Sequence, residues 1–433
     1  MIFKSKIFMG VFLTLSLYLF HSVQAQEGAT YIKAGKLFDG KQNFLRDDVA
    51  ILVKGKSIVE VGENIPIPDG ATVIDLSGMT VMPGLIDAHT HIVLHPGNYE
   101  DQILKETPEY RAIYGTLNAK ATLEAGVTTI RDVGNEGAGF ADIALRDAIN
   151  NGLIPGPRIL AAIQPVSATG SYAMVGFSPY HQFPSISYEA DGPTEIRQQV
   201  RRLIKQGADL IKTYIESYEK KQVGKELLTG AFTYSLEELR VLVKEAHQAR
   251  VKVAAHTYSD AGARLAIEAG VNSIEHGLYL SEETFRLMAE KDIFYVPTLL
   301  VYELWRDSKI FGQLSSSDKV KLTNTVVKHT ETFKRALKTP VKIALGSDTF
   351  EFPGTNSQEL ELMVRYGMKP IDALRSATSI AAELLGISEI TGTIEKNKSA
   401  EIIAFAGDPL VNITAVQKVS FVMKEGTIYL EKK

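Results

Sequence analysis

The stretch Leu85-Ile86-Asp87-Ala88-His89-Thr90-His91 is an apolar segment that ends in two histidines. It is the first of eight apolar segments that alternate with amphipathic helical patterns through the middle of the chain. This alternation is typical of βαβ units and predicts an α/β fold with a parallel sheet. Eight units favour a closed (β/α)8 barrel, with an open doubly wound sheet and a miscounted strand as the alternative. The candidate strands are residues 85–91, 128–133, 158–163, 210–215, 251–256, 273–276, 294–297 and 342–347.

The two ends of the chain differ from this middle region. Residues 28–80 contain four short segments of alternating polarity, separated by turn signals such as Asp39-Gly40. The tail from Ala400 repeats the pattern with three further segments. Both ends are therefore predicted to be β-rich. The segments are residues 30–33, 49–53, 57–61 and 72–75, then 401–405, 419–423 and 427–430.

The first 25 residues have the pattern of a targeting segment. Lys4 and Lys6 precede an apolar run at 7–20, and small residues surround a cleavage point after Ala25. The run is shorter than the ~20 residues that span a bilayer, so a cleaved signal peptide is favoured over a retained anchor. The expected location of the mature protein is secreted or periplasmic, with no stable membrane insertion after cleavage.

Composition excludes several classes of function. The chain has no cysteine, which excludes disulfides, thiolate chemistry and a lipoprotein anchor, so a metal site must use nitrogen and oxygen ligands. The formal net charge of −4 argues against a nucleic-acid partner. A small-molecule substrate is expected, and homo-oligomerisation is left open.

Four histidines and one aspartate end the candidate strands. His89 and His91 are two residues apart, so on an extended segment both imidazoles lie on one face and converge on one ion. His256 and His276 each close a later strand, and Asp348 follows the eighth. Active sites of barrels lie at this end of the strands. A divalent metal held there can acidify a bound water and polarise a carbonyl, and Asp348 is the candidate general base.

Lys212 lies within the fourth candidate strand, where alternation places it on the same face as Leu210 and Tyr214. If that face points into the barrel, an ammonium group there is costly without a partner. Reaction with CO2 would convert the amine to a carbamate that can bridge two metals. The alternative is a lysine whose ammonium reaches water at the strand end. Strand spacing does not distinguish the two.

The other histidines are weaker candidates. His247 and His329 lie among charged residues on predicted helices and are expected to be solvated. His95 and His181 lie in predicted loops near the mouth of the barrel and are secondary candidates for a substrate contact.

Several motifs together resemble the amidohydrolase superfamily, in the branch of imidazolonepropionase-like proteins and Xaa-Pro or Xaa-Arg dipeptidases. The resemblance covers nearly the whole chain after residue 25. Its motifs are Val81-Met82-Pro83-Gly84-Leu85-Ile86-Asp87-Ala88-His89-Thr90-His91, Gly126-Val127-Thr128-Thr129-Ile130-Arg131-Asp132, Gly207-Ala208-Asp209-Leu210-Ile211-Lys212, Glu275-His276-Gly277, Gly346-Ser347-Asp348, Gly392-Thr393-Ile394-Glu395 and Gly407-Asp408-Pro409-Leu410.

The resemblance implies a domain organisation and two divalent metal ions, with zinc the first choice. Residues 26–81 and 395–433 would form a small β-sandwich, and residues 82–394 the barrel. His89, His91 and Asp348 would hold the more buried ion and His256 and His276 the second. Carboxylated Lys212 would bridge them. Hydroxide between the metals would attack an amide carbonyl, and Asp348 would pass its proton to the leaving amine.

One stretch departs from the family pattern. Relatives in this branch often carry Thr-Gly-Gly-His-Gly after the third strand, with a histidine that contacts the substrate. The corresponding residues here read Thr169-Gly170-Ser171-Tyr172-Ala173, which puts Tyr172 in the place of that histidine. A phenol can donate a hydrogen bond to an oxyanion but cannot carry positive charge. The candidate substrate contacts are Tyr172, Tyr214 and His181.

The leading expectation is hydrolysis of an amide bond in a dipeptide or an N-acyl amino acid. The alternatives on the same metal centre are a cyclic amide or nitrogen heterocycle, and an ester or phosphotriester. Enzymes of nitrogen heterocycles usually use one metal and lack the bridging lysine, so Lys212 counts against them. A non-catalytic relative would be expected to have lost ligands, whereas all six are present here.

Overall fold

The computed structural model describes residues 28–171, 186–216, 229–307, 315–349 and 353–432, together with residues 178, 180 and 183. The strands are β1 (Ala29–Leu37), β2 (Arg46–Lys54), β3 (Ser57–Gly62), β4 (Thr72–Pro83), β5 (Leu85–Thr90), β6 (Val127–Asp132), β7 (Arg158–Ala161), β8 (Val166–Ser167), β9 (Tyr188–Glu189), β10 (Leu210–Tyr214), β11 (Lys252–Thr257), β12 (Ser273–His276), β13 (Phe294–Val296), β14 (Ile402–Phe405), β15 (Val419–Lys424) and β16 (Thr427–Glu431).

The helices within the described ranges separate these strands. They are α1 (Tyr99–Lys105), α2 (Pro108–Glu124), α3 (Ala141–Asn150), α4 (Gly192–Lys205), α5 (Leu236–Gln248), α6 (Asp260–Ala269), α7 (Glu282–Glu290), α8 (Leu299–Asp307), α9 (Ser316–Ala336), α10 (Gln358–Arg365), α11 (Pro370–Ser376) and α12 (Ser379–Leu385), with a 3-10 turn at Ile413–Gln417. Ser235 and Glu238 form a capping box at the start of α5. No helix in these ranges is both long and apolar enough to cross a bilayer.

The two β-rich ends of the chain form one seven-stranded sheet, in the order β16-β15-β14-β4-β1-β2-β3. The long strand β4 pairs in parallel with β1 and antiparallel with β14, so it joins the two ends. Gly84 then leads from β4 directly into β5. A Cβ at this position would lie about 2 Å from the Thr128 side chain, so only glycine allows β5 and β6 to approach this closely.

The middle of the chain contains two parallel sheets, as the alternation of strands and helices predicts. The order is β5-β6-β7 in one and β13-β12-β11-β10-β8-β9 in the other. Ala161 at the end of β7 accepts a hydrogen bond from the Asp209 amide, one residue before β10. On the other side, residues 342–347, hereafter the eighth segment, lie between β13 and β5. The Ala344 amide donates to Tyr295, and the Ala88 amide donates to Leu345.

The eighth segment is not the strand that the sequence predicts. It forms only an isolated parallel bridge, between Ile343 and Tyr295. The reason lies in α11, whose C-terminal end reaches the gap between the eighth segment and β5. The carbonyl of Ser376 accepts the Leu345 amide, and the carbonyl of Ala377 accepts the Ile86 amide. These bonds replace part of a regular ladder. The third predicted strand is also shorter than expected, since β7 ends at Ala161.

Candidate active site

The first group of candidate ligands lies at the carboxyl ends of β5 and the eighth segment. His89 is in β5, His91 follows the strand directly, and Asp348 follows the eighth segment. The Nε2 atoms of His89 and His91 lie 3.7 and 3.4 Å from Asp348 Oδ1. One ligand atom from each of these three side chains lies within 4.8 Å of the other two. The structure therefore brings together three of the residues that the sequence singles out.

His256 and His276, at the ends of β11 and β12, adjoin this group. Their ring centroids are 4.4 Å apart, and the His276 ring is 4.8 Å from that of His89. His276 Nδ1 lies 3.8 Å from the second carboxylate oxygen of Asp348. The four imidazoles and the carboxylate therefore form one continuous cluster at the carboxyl ends of the strands.

Lys212 lies in β10, where its register partner is Ala254 of β11. Only 1% of Lys212 is exposed, and burial lowers the pKa of its amine to about 8. The amine lies 5.9 Å from the centre of the Tyr214 ring and forms no hydrogen bond or ion pair with any described residue. The amine of Lys212 is buried and does not reach water, which contradicts the alternative of a solvated lysine.

Burial lowers the pKa of all four histidines in the cluster below the ordinary value, so their imidazoles are neutral near pH 7. His89 Nδ1 lies 2.7 Å from Glu275, and His91 Nδ1 lies 2.6 Å from the Gly134 carbonyl. Both partners only accept hydrogen bonds, so each Nδ1 carries the proton and each Nε2 carries a lone pair. These two imidazoles are therefore oriented as metal ligands are.

The carboxylate behind His89 belongs to a buried network that the sequence reasoning missed. Glu275 accepts hydrogen bonds from Arg131 at 2.8 Å and from Ser273, while its other oxygen contacts His89. Arg131 also donates to the Ala88 carbonyl at 2.5 Å. All of these side chains are buried. The sequence contained an indication of this network, because Glu275 is a charged residue within a predicted parallel strand. A fully buried carboxylate needs a partner.

A second missed carboxylate connects β5 to the eighth segment. Asp87 accepts hydrogen bonds from the amides of His89 and Ser347, the Ser347 hydroxyl and the Asn356 side chain. Burial raises the pKa of Asp87, although these four donors oppose the shift. Because the four donors come from both sides of the site, Asp87 fixes Asp348 relative to His89.

Several residues at this end of the strands have a left-handed backbone conformation. Five non-glycine residues at or after the carboxyl ends of the parallel segments have φ between +51° and +69°. The left-handed region costs a residue with a side chain about 1 kcal/mol or more, and strain of this kind tends to persist at functional sites. These residues are Glu136, Ile163, His276, Thr298 and Asp348. Burial also raises the pKa of Asp348 well above its ordinary range.

The remaining candidates divide into three groups. Tyr214 is buried, with its ring 4.9 Å from that of His256. Tyr172 and His181 lie outside the described residues. His329 is not solvated as predicted: it is 1% exposed, and burial lowers its pKa to about 3. Its ring packs against Tyr302 and faces the Tyr295 hydroxyl, because α9 lays this face over the end of β13.

The donor set of the cluster fits divalent transition metals. Neutral imidazoles, a carboxylate and a buried amine supply the nitrogen and oxygen ligands that zinc accepts. The hydrogen bonds to Glu275 and to Gly134 are of the kind that orient metal-ligating histidines. The group His89, His91 and Asp348 could hold one ion.

The chain is similar to known proteins over most of its length. The amidohydrolase family model matches residues 80–429. Ochratoxinase of Aspergillus niger is 32% identical over 426 residues, which cover 92% of this chain and 86% of that protein. Imidazolonepropionase of Fusobacterium nucleatum is 23% identical over 394 residues, or 82% of this chain and 84% of that protein.

The chain is also similar to a solved structure. A Xaa-Pro dipeptidase with methionine bound in its active site is 34% identical, with a TM-score of 0.84. The match covers 93% of this chain and 100% of that chain. The chain therefore belongs to the amidohydrolase family, in the branch of imidazolonepropionase and dipeptidase-like proteins, and is a hydrolase that acts on carbon–nitrogen bonds.

Proposed function

We propose that this enzyme hydrolyses the amide bond of a dipeptide or an N-acyl amino acid at a centre of two divalent metal ions, with zinc the first choice. The observation that carries the proposal is the continuous cluster of Asp348 and four neutral imidazoles. A relative that is a Xaa-Pro dipeptidase and another named ochratoxinase support the substrate class.

The ligand assignment follows the two groups of side chains. His89, His91 and Asp348 would hold the more buried ion, and His256 and His276 the second. Lys212 would bridge them as a carbamate, formed when its neutral amine attacks CO2 and loses a proton. The support for this step is the burial of Lys212 without an acceptor, together with the lowered pKa that makes its neutral amine accessible.

When bound, the ions would acidify a water molecule and polarise the scissile carbonyl. The side chains of this enzyme then perform the proton transfers. Asp348 would take the proton of the attacking water and deliver it to the leaving amine, which departs as the carbonyl carbon becomes a carboxylate. Tyr214, next to His256, would donate a hydrogen bond to the developing oxyanion. Tyr172 and His181 are retained as candidate substrate contacts.

We further propose that the eight parallel segments close into a (β/α)8 barrel spanning residues 82–394. The hydrogen bonds between Asp209 and Ala161, and those of the eighth segment to β13 and β5, support closure. The seven-stranded sheet would form a small β-sandwich from residues 26–81 and 395–433. The basic and apolar pattern of residues 1–25 supports a cleaved signal peptide and export.

The test is a hydrolysis screen with the zinc-loaded protein over dipeptides, N-acyl amino acids, esters and cyclic amides, read as release of amine or acid. Release of amine from dipeptides or N-acyl amino acids is expected, and Asp348→Asn should abolish it. Turnover of esters or cyclic amides alone would contradict the proposal. Two equivalents of metal per chain in elemental analysis are expected, and metal-free active enzyme would contradict the metal centre.

A further inference from the structure

Helix α2 carries a row of large apolar side chains on its solvent face. Tyr110, Ile113 and Leu117 are 50%, 67% and 61% exposed. Their spacing of three and four residues places them along one face of the helix. Large apolar side chains exposed side by side along one helix face are typical of interaction surfaces.

The inward face of α2 does not explain this row. That face packs against the rest of the protein through Gly115, Asn118, Ala119, Thr122 and Leu123. Asn118 donates to the carbonyls of Ile92 and Leu94, so the inward face is satisfied. A helix with apolar side chains on both faces is typically covered on both.

We propose that the solvent face of α2 binds the same face of a second copy of this chain, with the two helices antiparallel. Glu109 and Lys120 are both exposed and lie on the same flank of the apolar row, where Lys120 also lies 3.8 Å from Glu124 of its own helix. They are separated by about 16 Å along the helix axis, from a rise of about 1.5 Å per residue. A two-fold axis at the level of Gly115 sets Ile113 against the partner's Leu117.

The axis is perpendicular to both helices, so the flank that carries Glu109 and Lys120 lies on the same side of the dimer in both copies. Each Glu109 therefore lies opposite the partner's Lys120. Each row is therefore complementary to itself in both apolar contacts and charge. A membrane surface is a poorer occupant, because a helix that lies on a bilayer carries basic residues along its flanks. Here the flank carries Glu109 as well as Lys120.

The first experiment is cross-linking, for which the chain offers no background because it has no cysteine. Leu117→Cys in the full chain, treated with a short bismaleimide, should give a covalent dimer in high yield. The matched control is Leu153→Cys, since Leu153 is 76% exposed but lies outside α2. Equal yields for the two variants, or no dimer from Leu117→Cys, would overturn the proposal.

The second experiment is sedimentation of charge variants. Ile113→Glu should raise the dissociation constant of the dimer at least tenfold, and Glu109→Lys or Lys120→Glu alone should raise it severalfold. The double variant that carries both Glu109→Lys and Lys120→Glu should restore wild-type association. Such a recovery is explained only by a second copy bound in this orientation. A monomeric wild type, binding to anionic vesicles in place of self-association, or a double variant as weak as the single ones would refute the inference.

Discussion

The two halves of the candidate active site differ in how the protein holds their side chains. On the His89 side, which consists of His89, His91 and Asp348, the imidazoles are oriented by a carboxylate and a backbone carbonyl. On the His256 side, which consists of Lys212, His256 and His276, aromatic rings surround the histidines. Tyr258 lies 4.6 Å from His256 between ring centroids.

This difference has a chemical consequence. A carboxylate that accepts from Nδ1 makes an imidazole a stronger ligand, whereas the hydroxyl of Thr298, 2.8 Å from His276 Nδ1, is a weaker partner. The His89 side is therefore expected to bind its ion more tightly. The proposed bridging ligand on the His256 side is Lys212, whose buried amine has no acceptor among the described residues.

The largest effect is expected where the two sides meet. Lys212→Ala should lower kcat/KM by a factor of about a thousand or more, equal to about 4 kcal/mol of transition-state stabilisation, since it removes the proposed bridge. Short-chain carboxylates should partly restore activity by replacing the carbamate. The matched control is Lys252→Ala in β11, because among the described residues Lys252 donates only to the carbonyls of Glu383 and Leu384. Full activity of Lys212→Ala would contradict the bridging role.

Glu275→Gln tests the His89 side. Loss of the carboxylate should weaken zinc affinity by about 10- to 100-fold, measured by competition with a chelator. It should also lower the free energy of unfolding by about 3 kcal/mol, because Arg131 is left buried without its counter-charge. Unchanged zinc affinity in a folded variant would show that Glu275 only supports the fold.

Thr298→Val provides the matching change on the His256 side. The variant keeps the shape of the side chain but loses the hydroxyl that contacts His276. Zinc affinity should fall by no more than about tenfold, because a neutral partner contributes less than a carboxylate. A loss as large as that of Glu275→Gln would remove the proposed difference between the two sides.

The last prediction concerns the free energy of unfolding in acid, near the His256 side. The pKa of His329 is about 3 in the folded protein, below its ordinary value of 6.5, so the unfolded chain binds its proton first. The contribution of His329 to the free energy of unfolding is complete above pH 6.5. It falls by about 1.4 kcal/mol per pH unit as the pH drops from 6.5 toward 3. Urea titrations should show a shallower loss for His329→Gln and an unchanged loss for exposed His247→Gln.

The sequence predicted much of the secondary structure and the candidate ligands that the structure brings together. Alternating polarity identified the strands at both ends, and strand-terminal positions identified His89, His256 and Asp348. It failed for the eighth segment, because the competing hydrogen bonds from Ser376 and Ala377 come from a distant helix. The prediction of a solvated His329 was wrong because its sequence neighbours on α9 are charged, although His329 itself lies on the helix face that packs over β13.

By itself, the sequence determined which residues could ligate a metal and that they follow parallel strands, because residue chemistry and hydrophobic periodicity are local properties. Only the tertiary structure decided that Asp348 lies within 3.7 Å of His89 and 3.4 Å of His91, and that Glu275 and Arg131 lie behind His89. These contacts join residues up to 259 positions apart (His89 to Asp348), and burial and pKa depend on every element packed around them.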